Sequence, residues 1–363
     1  MRPRLLVINF ANGVTQERAW EKVNQLIAAL RESSRYHGFE NPKASPFLEY
    51  QVEKLVNATN IVPPAEKLDG NSTLYPRVPN WKDGINFQYS RLFTNEFTGV
   101  YGIRDQDNLG RLLSLKELVD RGIIHEVWFL AYQGKYGAPY ESIEVKQVYD
   151  EQLKPIPGKW MQAGNGGDPG QPFIGRSLRI VFINVERGPG CAMESLGHSL
   201  EGMANSNAIP YLRKYFREFA GFDLDKRYGT PFDSLYGRNG VELSYPNPNT
   251  LAFKWGGEER VIPNYVPIGN NVHFIPNGRH DYDLDNPSPI LTTIEHYRMR
   301  DGQRGQDKVT LWTPAKLDPY KELGNDCMGR WVIYWRQNMP GLDNRSKDDT
   351  GKPMKNWWPF LFY

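Results

Sequence analysis

The chain has 363 residues, and its 44 Lys+Arg against 42 Asp+Glu leave a formal charge of +2. The basic residues form no run dense enough to follow a phosphate backbone, which excludes nucleic acid as an expected partner. No stretch approaches the roughly 20 apolar residues of a membrane span. A mean hydropathy of −0.61 predicts a soluble chain without membrane insertion.

The first element is Leu5–Phe10 (LLVINF), a short buried strand. Ala11-Asn12-Gly13 turns it into a helix from about Thr15, with Ala19, Val23, Leu26, Ile27 and Leu30 at helical spacing. Phe47–Val56 alternates as a second strand, and Asn57–Asn86 follows as a Pro/Asn/Gly-rich insertion. Helical periodicity over Leu109–Arg121 stops at Gly122, and Ile123–Tyr132 (IIHEVWFLAY) is a third, strongly apolar strand. Gln133–Ser177 reads as irregular, and Leu178–Val185 is the fourth strand. Apolar strands alternating with helices predict an α/β fold with a doubly wound, mostly parallel sheet over residues 1–225. Ligands sit beyond the carboxyl ends of the strands in such sheets. Residues 226–363, filled with Pro, Asn, Gly, Trp and Tyr, read as a loop-rich elaboration packed on that core and not as a free domain.

The densest chemistry lies in Ser177–Met203, where an apolar strand passes through a glycine turn into a polar helix. Glu194, His198 and Glu201 fall at i, i+4 and i+7 of that helix, among Met193, Leu196, Leu200 and Met203. Such a stripe needs solvent, partners or a metal. Its structural reading pairs the carboxylates with Arg187 or with lysines and makes His198 a satisfied core histidine. Glu186-Arg187-Gly188 adds a carboxylate and a guanidinium at the strand's carboxyl end, which strengthens the functional reading. Leu196-Gly197-His198-Ser199-Leu200 looks like the second half of a metzincin helix, but Glu194 and Ser195 stand where His-Glu is needed, so that mechanism is not expected.

A second cluster runs from Val272 to Asp285. Asp281, Asp283 and Asp285 alternate as calcium ligands do, although Asn286-Pro287 and Thr292 depart from an EF-hand. Alternatively, His273 and His280 complete a transition-metal site begun on the helix. Glu141, in the Gly134–Glu144 loop, pairs with Glu186 or Glu194 as the acid and base of a glycosidase in a third reading. No P-loop, dinucleotide fingerprint or nucleophile elbow is present. Cys191 and Cys327 allow one bridge that the sequence does not decide. Trp331–Trp335 (WVIYW) and Asn356-Trp357-Trp358 read as aromatic clusters near two short strands. They pave a sugar cleft in one reading and staple the chain end to the core in the favoured one.

Three blocks, Glu186-Arg187-Gly188 through Glu194, Gly197-His198 and Glu201, then His273-Phe274, Pro276-Asn277 and Asp281-Tyr282-Asp283, then Asn356-Trp357-Trp358, together resemble a group of secreted bacterial and fungal proteins without an established activity. The resemblance implies secretion and a shared site, and names no reaction. Met-Arg-Pro-Arg at the start leads straight into a strand and does not read as a signal peptide. The resulting expectation is a secreted or periplasmic, metal-supported hydrolase acting on a polysaccharide or glycoconjugate, with a peptide as second choice. Its catalytic residues would be Glu141, Glu186, Arg187 and Glu194. A divalent metal, zinc or calcium, would be held by Glu194, His198, Glu201, His273, Asp281 and Asp283. The alternatives are a glycan-binding protein with structural calcium and a metal-free glycosidase using Glu141 and Glu186.

Overall fold

Adjacent residues of the first strand point into two different cores, because the sheet is covered on both sides. Six strands, β1 (Arg4–Asn9), β2 (Gln51–Asn57), β3 (Glu126–Ala131), β4 (Ser142–Tyr149), β5 (Pro155–Asn165) and β6 (Leu178–Asn184), lie in the order β2-β1-β3-β6-β4-β5. The pairs β1/β2, β1/β3 and β3/β6 are parallel, whereas β4 runs antiparallel to both β6 and β5. The computed structural model describes residues 1–61, 87–133, 139–166, 170–236 and 240–362, with the backbone of two further two-residue strands at 67–68 and 72–73. Most of the expected 57–86 insertion, the 134–138 part of the Glu141 loop and 167–169 lie outside the described residues.

Leu5, Val7, Trp128, Leu130, Val181 and Ile183 pack with α1 (Gln16–Ser33) on one face. Leu6, Ile8, Val127, Phe129 and Ile180 pack on the other with α2 (Asn95–Tyr101) and α3 (Leu115–Asp120). Thr15 caps α1 by accepting from Arg18 N, as Thr before an apolar-periodic run should. The expected helix over Leu109–Arg121 is shorter. Ser114 and Glu117 form a reciprocal capping box that starts α3 at Leu115, and Leu109 is exposed. Gly122, at φ +64°, ends it as expected.

Two expectations for irregular structure are corrected. Residues 142–165 form the β4/β5 hairpin: β5 is the edge strand, where Pro155, Pro157 and an exposed polar surface are tolerated, so it shows no apolar run. The WVIYW segment, expected among loops and short strands, is part of a helix. After α4 (Pro189–Asn205) and α5 (Pro210–Phe219), α6 (Gly329–Gln337) is buried against α1 and α4. Its aromatic and β-branched residues mimic a strand because every face of it is covered. Trp331, Trp335, Trp357 and Trp358 are all core residues, and the core they join runs from Leu5 to Phe362, across the expected 225/226 boundary. No helix among the described residues is long and apolar enough to cross a membrane.

Under α4, at the amino end of the parallel strands, charged side chains are buried together. Arg179 donates Nε to Glu144 Oε2 (2.9 Å) and Nη2 to Leu361 O (2.8 Å), and its Nη1 lies 3.7 Å from Glu126 Oε1. Tyr50 Oη and Trp128 Nε1 donate to the two oxygens of Glu126. Lys146 Nζ lies 3.9 Å from Glu144 Oε1. Burial pushes the Lys146 ammonium down to about 7 against the pull of Glu144. The folded value is below the unfolded one, so the native chain binds fewer protons between about pH 7 and pH 10. The destabilisation is therefore full below about pH 7 and relieved as pH rises toward 10. Lys146→Met is expected to be more stable than the parent by about 1–3 kcal/mol at pH 7. Urea unfolding at pH 7 and pH 9.5 checks this, because the gain should shrink at the higher pH.

Candidate metal centre

Gly188 stands at the N-cap of α4, Pro189 opens the helix with the φ it needs, and Asp326 arrives from a distant loop to satisfy the first amides. Asp326 Oδ1 accepts from Gly190 N (2.9 Å) and Oδ2 from Cys191 N (3.2 Å). One turn on, Glu194 and His198 share a face, as their spacing predicts. Gly197 explains what meets them there. A Cβ at this position would come within 2.8 Å of Val272 Cγ2, so glycine lets the 272–273 segment lie against the helix. From behind, Trp331 Nε1 donates to Asn271 O and Trp335 Nε1 to Asn270 O. The buried indoles of α6 thus fix the loop that carries His273.

The result is a convergence of donor atoms. His198 Nε2 and His273 Nε2 are 2.9 Å apart, Glu194 Oε1 lies 3.2 Å from His273 Nε2, and it lies 3.8 Å from His198 Nε2. A tetrahedral ion with bonds of about 2.0–2.1 Å separates its ligands by about 3.3 Å. The three observed separations bracket that edge, and the three residues form one of the groups with metal-like spacing among the described residues. Without a cation, one Nε2 must donate a proton to the other. Burial works against a charged His198, but Glu194 and Glu201 outweigh it and push the imidazole up to about 10. Burial likewise works against the Glu194 carboxylate, yet His198, His273 and Tyr282 hold it far below the usual range.

Glu201 is not positioned as a ligand. Its Oε2 faces His198 Nδ1 (3.2 Å) and accepts from Tyr236 Oη (2.7 Å), while Oε1 accepts from Val272 N (2.8 Å). That carboxylate turns His198 so that Nε2 points inward, the arrangement by which acidic groups orient metal-binding histidines. Asp281 stands in the same relation to His273, with Oδ1 3.6 Å from Nδ1, and it too lies outside the donor triad. Glu201→Gln is expected to fold and to bind zinc about 10–100-fold more weakly than the parent, as measured by competition with a chromophoric chelator.

Asp283 is corrected outright as a ligand. Its Oδ2 accepts from Arg279 N (2.9 Å) and Nε (2.6 Å), and its Oδ1 from Arg279 Nη2 (3.0 Å) and Asp285 N (3.4 Å), so its carboxylate closes the turn. His280 is exposed and faces its own neighbour's carbonyl, Asp281 O. Tyr282, between these aspartates, belongs to the site instead. Its phenol donates to Glu194 Oε1 (2.5 Å) and lies 3.1 Å from His273 Nε2. Its backbone is left-handed at φ +64° with the side chain 47% exposed, a conformation that costs about 1 kcal/mol or more and is held at functional sites. Tyr236 and Tyr282 were not singled out by spacing. Both sit in irregular segments that carry no periodic signal.

Beside the triad, a small cleft opens at the carboxyl edge of the sheet, where an α/β ligand site is expected. Gln133, Glu141, Asn184, Arg187, Glu194 and Ser195 supply its polar lining, and Phe182 is an aromatic ring among the described lining residues. Glu141 accepts from Asn165 Nδ2 (2.5 Å). Glu186 is corrected: it is exposed and does not line the cleft, because the chain turns at Glu186-Arg187 and sends only Arg187 toward it. Cys191 and Cys327 are joined in a disulfide that lines the same cleft. Of the three sequence blocks, the first two meet at this centre. The third does not, since Trp357 packs on Phe216 and Phe219 in the core.

No protein-family profile matches the chain. A stretch of 52 residues, 14% of the chain, is 42% identical to the "Uncharacterized 8.5 kDa protein in mobB-Gp55 intergenic region" of Enterobacteria phage T4 and covers 72% of that protein. Over that stretch the chain belongs to one family with the phage protein, whose description gives no activity.

Proposed function

We propose that the protein is a metal-supported hydrolase whose ion is held by Glu194, His198 and His273. The observation that carries this reading is the inward convergence of one carboxylate and two imidazole donors at 2.9–3.8 Å, with one imidazole held from outside by the Glu201 carboxylate. Two nitrogens and one oxygen suit zinc better than calcium, which takes oxygen ligands. A bound divalent ion supplies Lewis acidity and lowers the pKa of a coordinated water.

The chain's own residues supply the rest. Glu141 lines the cleft, one oxygen accepting from Asn165 Nδ2, and is the carboxylate proposed to take and return the proton. Arg187 lines the cleft and would stabilise negative charge that develops on substrate oxygens. Gln133, Glu141, Asn184 and Arg187 offer hydrogen bonds on the cleft walls beside Pro139, Phe182 and Ala192, which supports a polyhydroxylated substrate, a polysaccharide or glycoconjugate, ahead of a peptide. The buried C-terminal tryptophans contribute nothing to that preference. The Cys191–Cys327 bridge supports an oxidising, extracytoplasmic setting, in keeping with the resemblance to secreted proteins. A metal-free glycosidase built on Glu141 and Glu186 is not favoured, since Glu186 is outside the cleft.

The test is hydrolysis of a panel of polysaccharides and glycopeptides before and after chelation. Activity that is lost with the ion, restored by zinc and absent in Glu141→Gln supports the reading. Activity that survives chelation contradicts it.

A further inference from the structure

The disulfide and the candidate metal centre share one carboxylate. Cys191 lies one helical turn before Glu194 on α4, and Cys327 immediately precedes Met328, whose backbone N–H donates to Glu194 Oε2 (3.3 Å). The bridge therefore ties the helix bearing two ligands to the segment that holds one of them in place. The same segment caps the helix, since Asp326 accepts from Gly190 N and Cys191 N. Close approach leaves it no slack. A Cβ on Gly190 would fall 2.1 Å from Asp326 O, and Cys327 itself sits in the left-handed region at φ +47°, where a non-glycine residue stays only under constraint.

We propose that the Cys191–Cys327 disulfide is a reducible clamp on Glu194, and that opening it frees the Asp326–Met328 segment and weakens the centre's hold on its divalent cation. The inference rests on the metal reading above.

Both sulfurs are half-buried and line the cleft, within reach of a small thiol. Arg187 Nη1 lies 3.6 Å from Cys191 Sγ and 3.8 Å from Cys327 Sγ, and Cys191 lies in the first turn of α4, so a departing thiolate meets positive potential from both. A dithiol reductant attacks one sulfur as its thiolate, the S–S bond breaks, and the other sulfur leaves as a thiolate beside Arg187. The second reductant thiol then displaces the mixed disulfide. Two electrons pass to the protein, which ends as two cysteine thiols, and the reductant ends as its own disulfide.

Cys191 and Cys327 are positioning residues in this account, and a merely structural bridge would lower stability without changing metal affinity. The experiment uses the full chain in three forms: oxidised, reduced with dithiothreitol, and the Cys191→Ser/Cys327→Ser double variant, which presents no thiol to the metal. The clamp predicts that the Met328 amide exchanges hydrogen about tenfold or more faster in the second and third forms. It also predicts zinc affinity about 10–100-fold weaker in the double variant, the form in which no thiol competes for the ion. Unchanged Met328 protection together with unchanged zinc affinity overturns it. Should the oxidised chain bind no zinc, the metal reading fails by itself, and Met328 exchange still decides whether the bridge clamps Glu194. A measurement on folded oxidised protein is independent of either variant's folding. Reduction by dithiothreitol should be about tenfold slower in Arg187→Met and recover in Arg187→Lys, and equal rates in all three remove Arg187 from the account.

Discussion

His198→Ala and His273→Ala proteins are expected to bind zinc on the order of 1,000-fold more weakly than the parent and to lose hydrolytic activity in proportion. Each substitution removes one of the two imidazole donors from the proposed three-residue centre. His273 also separates this centre from a helix-only site, because it comes from 75 residues beyond His198. If His273→Ala kept the parent's zinc affinity while His198→Ala lost it, the ion would belong to the α4 stripe alone. Asp283→Asn serves as the contrast. Its carboxylate is committed to Arg279, so it should lose stability and keep its metal.

The largest stability effect is expected at Arg179. Arg179→Met leaves the Glu144 and Glu126 carboxylates buried without their guanidinium, which should cost about 3–5 kcal/mol in urea unfolding at pH 7. Adding Glu144→Gln should recover part of the loss, because the substitution removes a buried charge along with its missing partner. A cost below about 1 kcal/mol would mean that the cluster is reached by water.

What the sequence made legible follows from periodicity. Three of the four parallel strands, β1, β3 and β6, are apolar on both faces and β2 alternates, so they stand out, as does the strand–glycine–helix unit carrying Glu194 and His198. The pairing of that helix with His273 was reachable from chemistry, since a Glu/His stripe on an otherwise apolar helix needs a partner. What stayed hidden is set by tertiary environment. The β4/β5 hairpin lacks an apolar run because one strand is an exposed edge and the other buries Glu144 and Lys146 under α4. WVIYW shows no helical periodicity because its composition is aromatic and β-branched, and packing on α1 and α4 makes it helix. Glu201 and Asp283 look like ligands by residue type. One orients His198 and the other binds Arg279, a distinction that depends on where each oxygen points. The Ser114-x-x-Glu117 box was the available signal for the true start of α3.

X-ray absorption at the metal edge of zinc-loaded protein tests the central claim most directly. The account predicts two imidazole nitrogens at about 2.0–2.1 Å with the remaining first-shell positions filled by oxygen, and no sulfur near 2.3 Å. A sulfur-containing shell would place the ion at Cys191 and Cys327 with their bridge opened, and an all-oxygen shell would place it among the carboxylates. Either result would contradict the Glu194/His198/His273 centre.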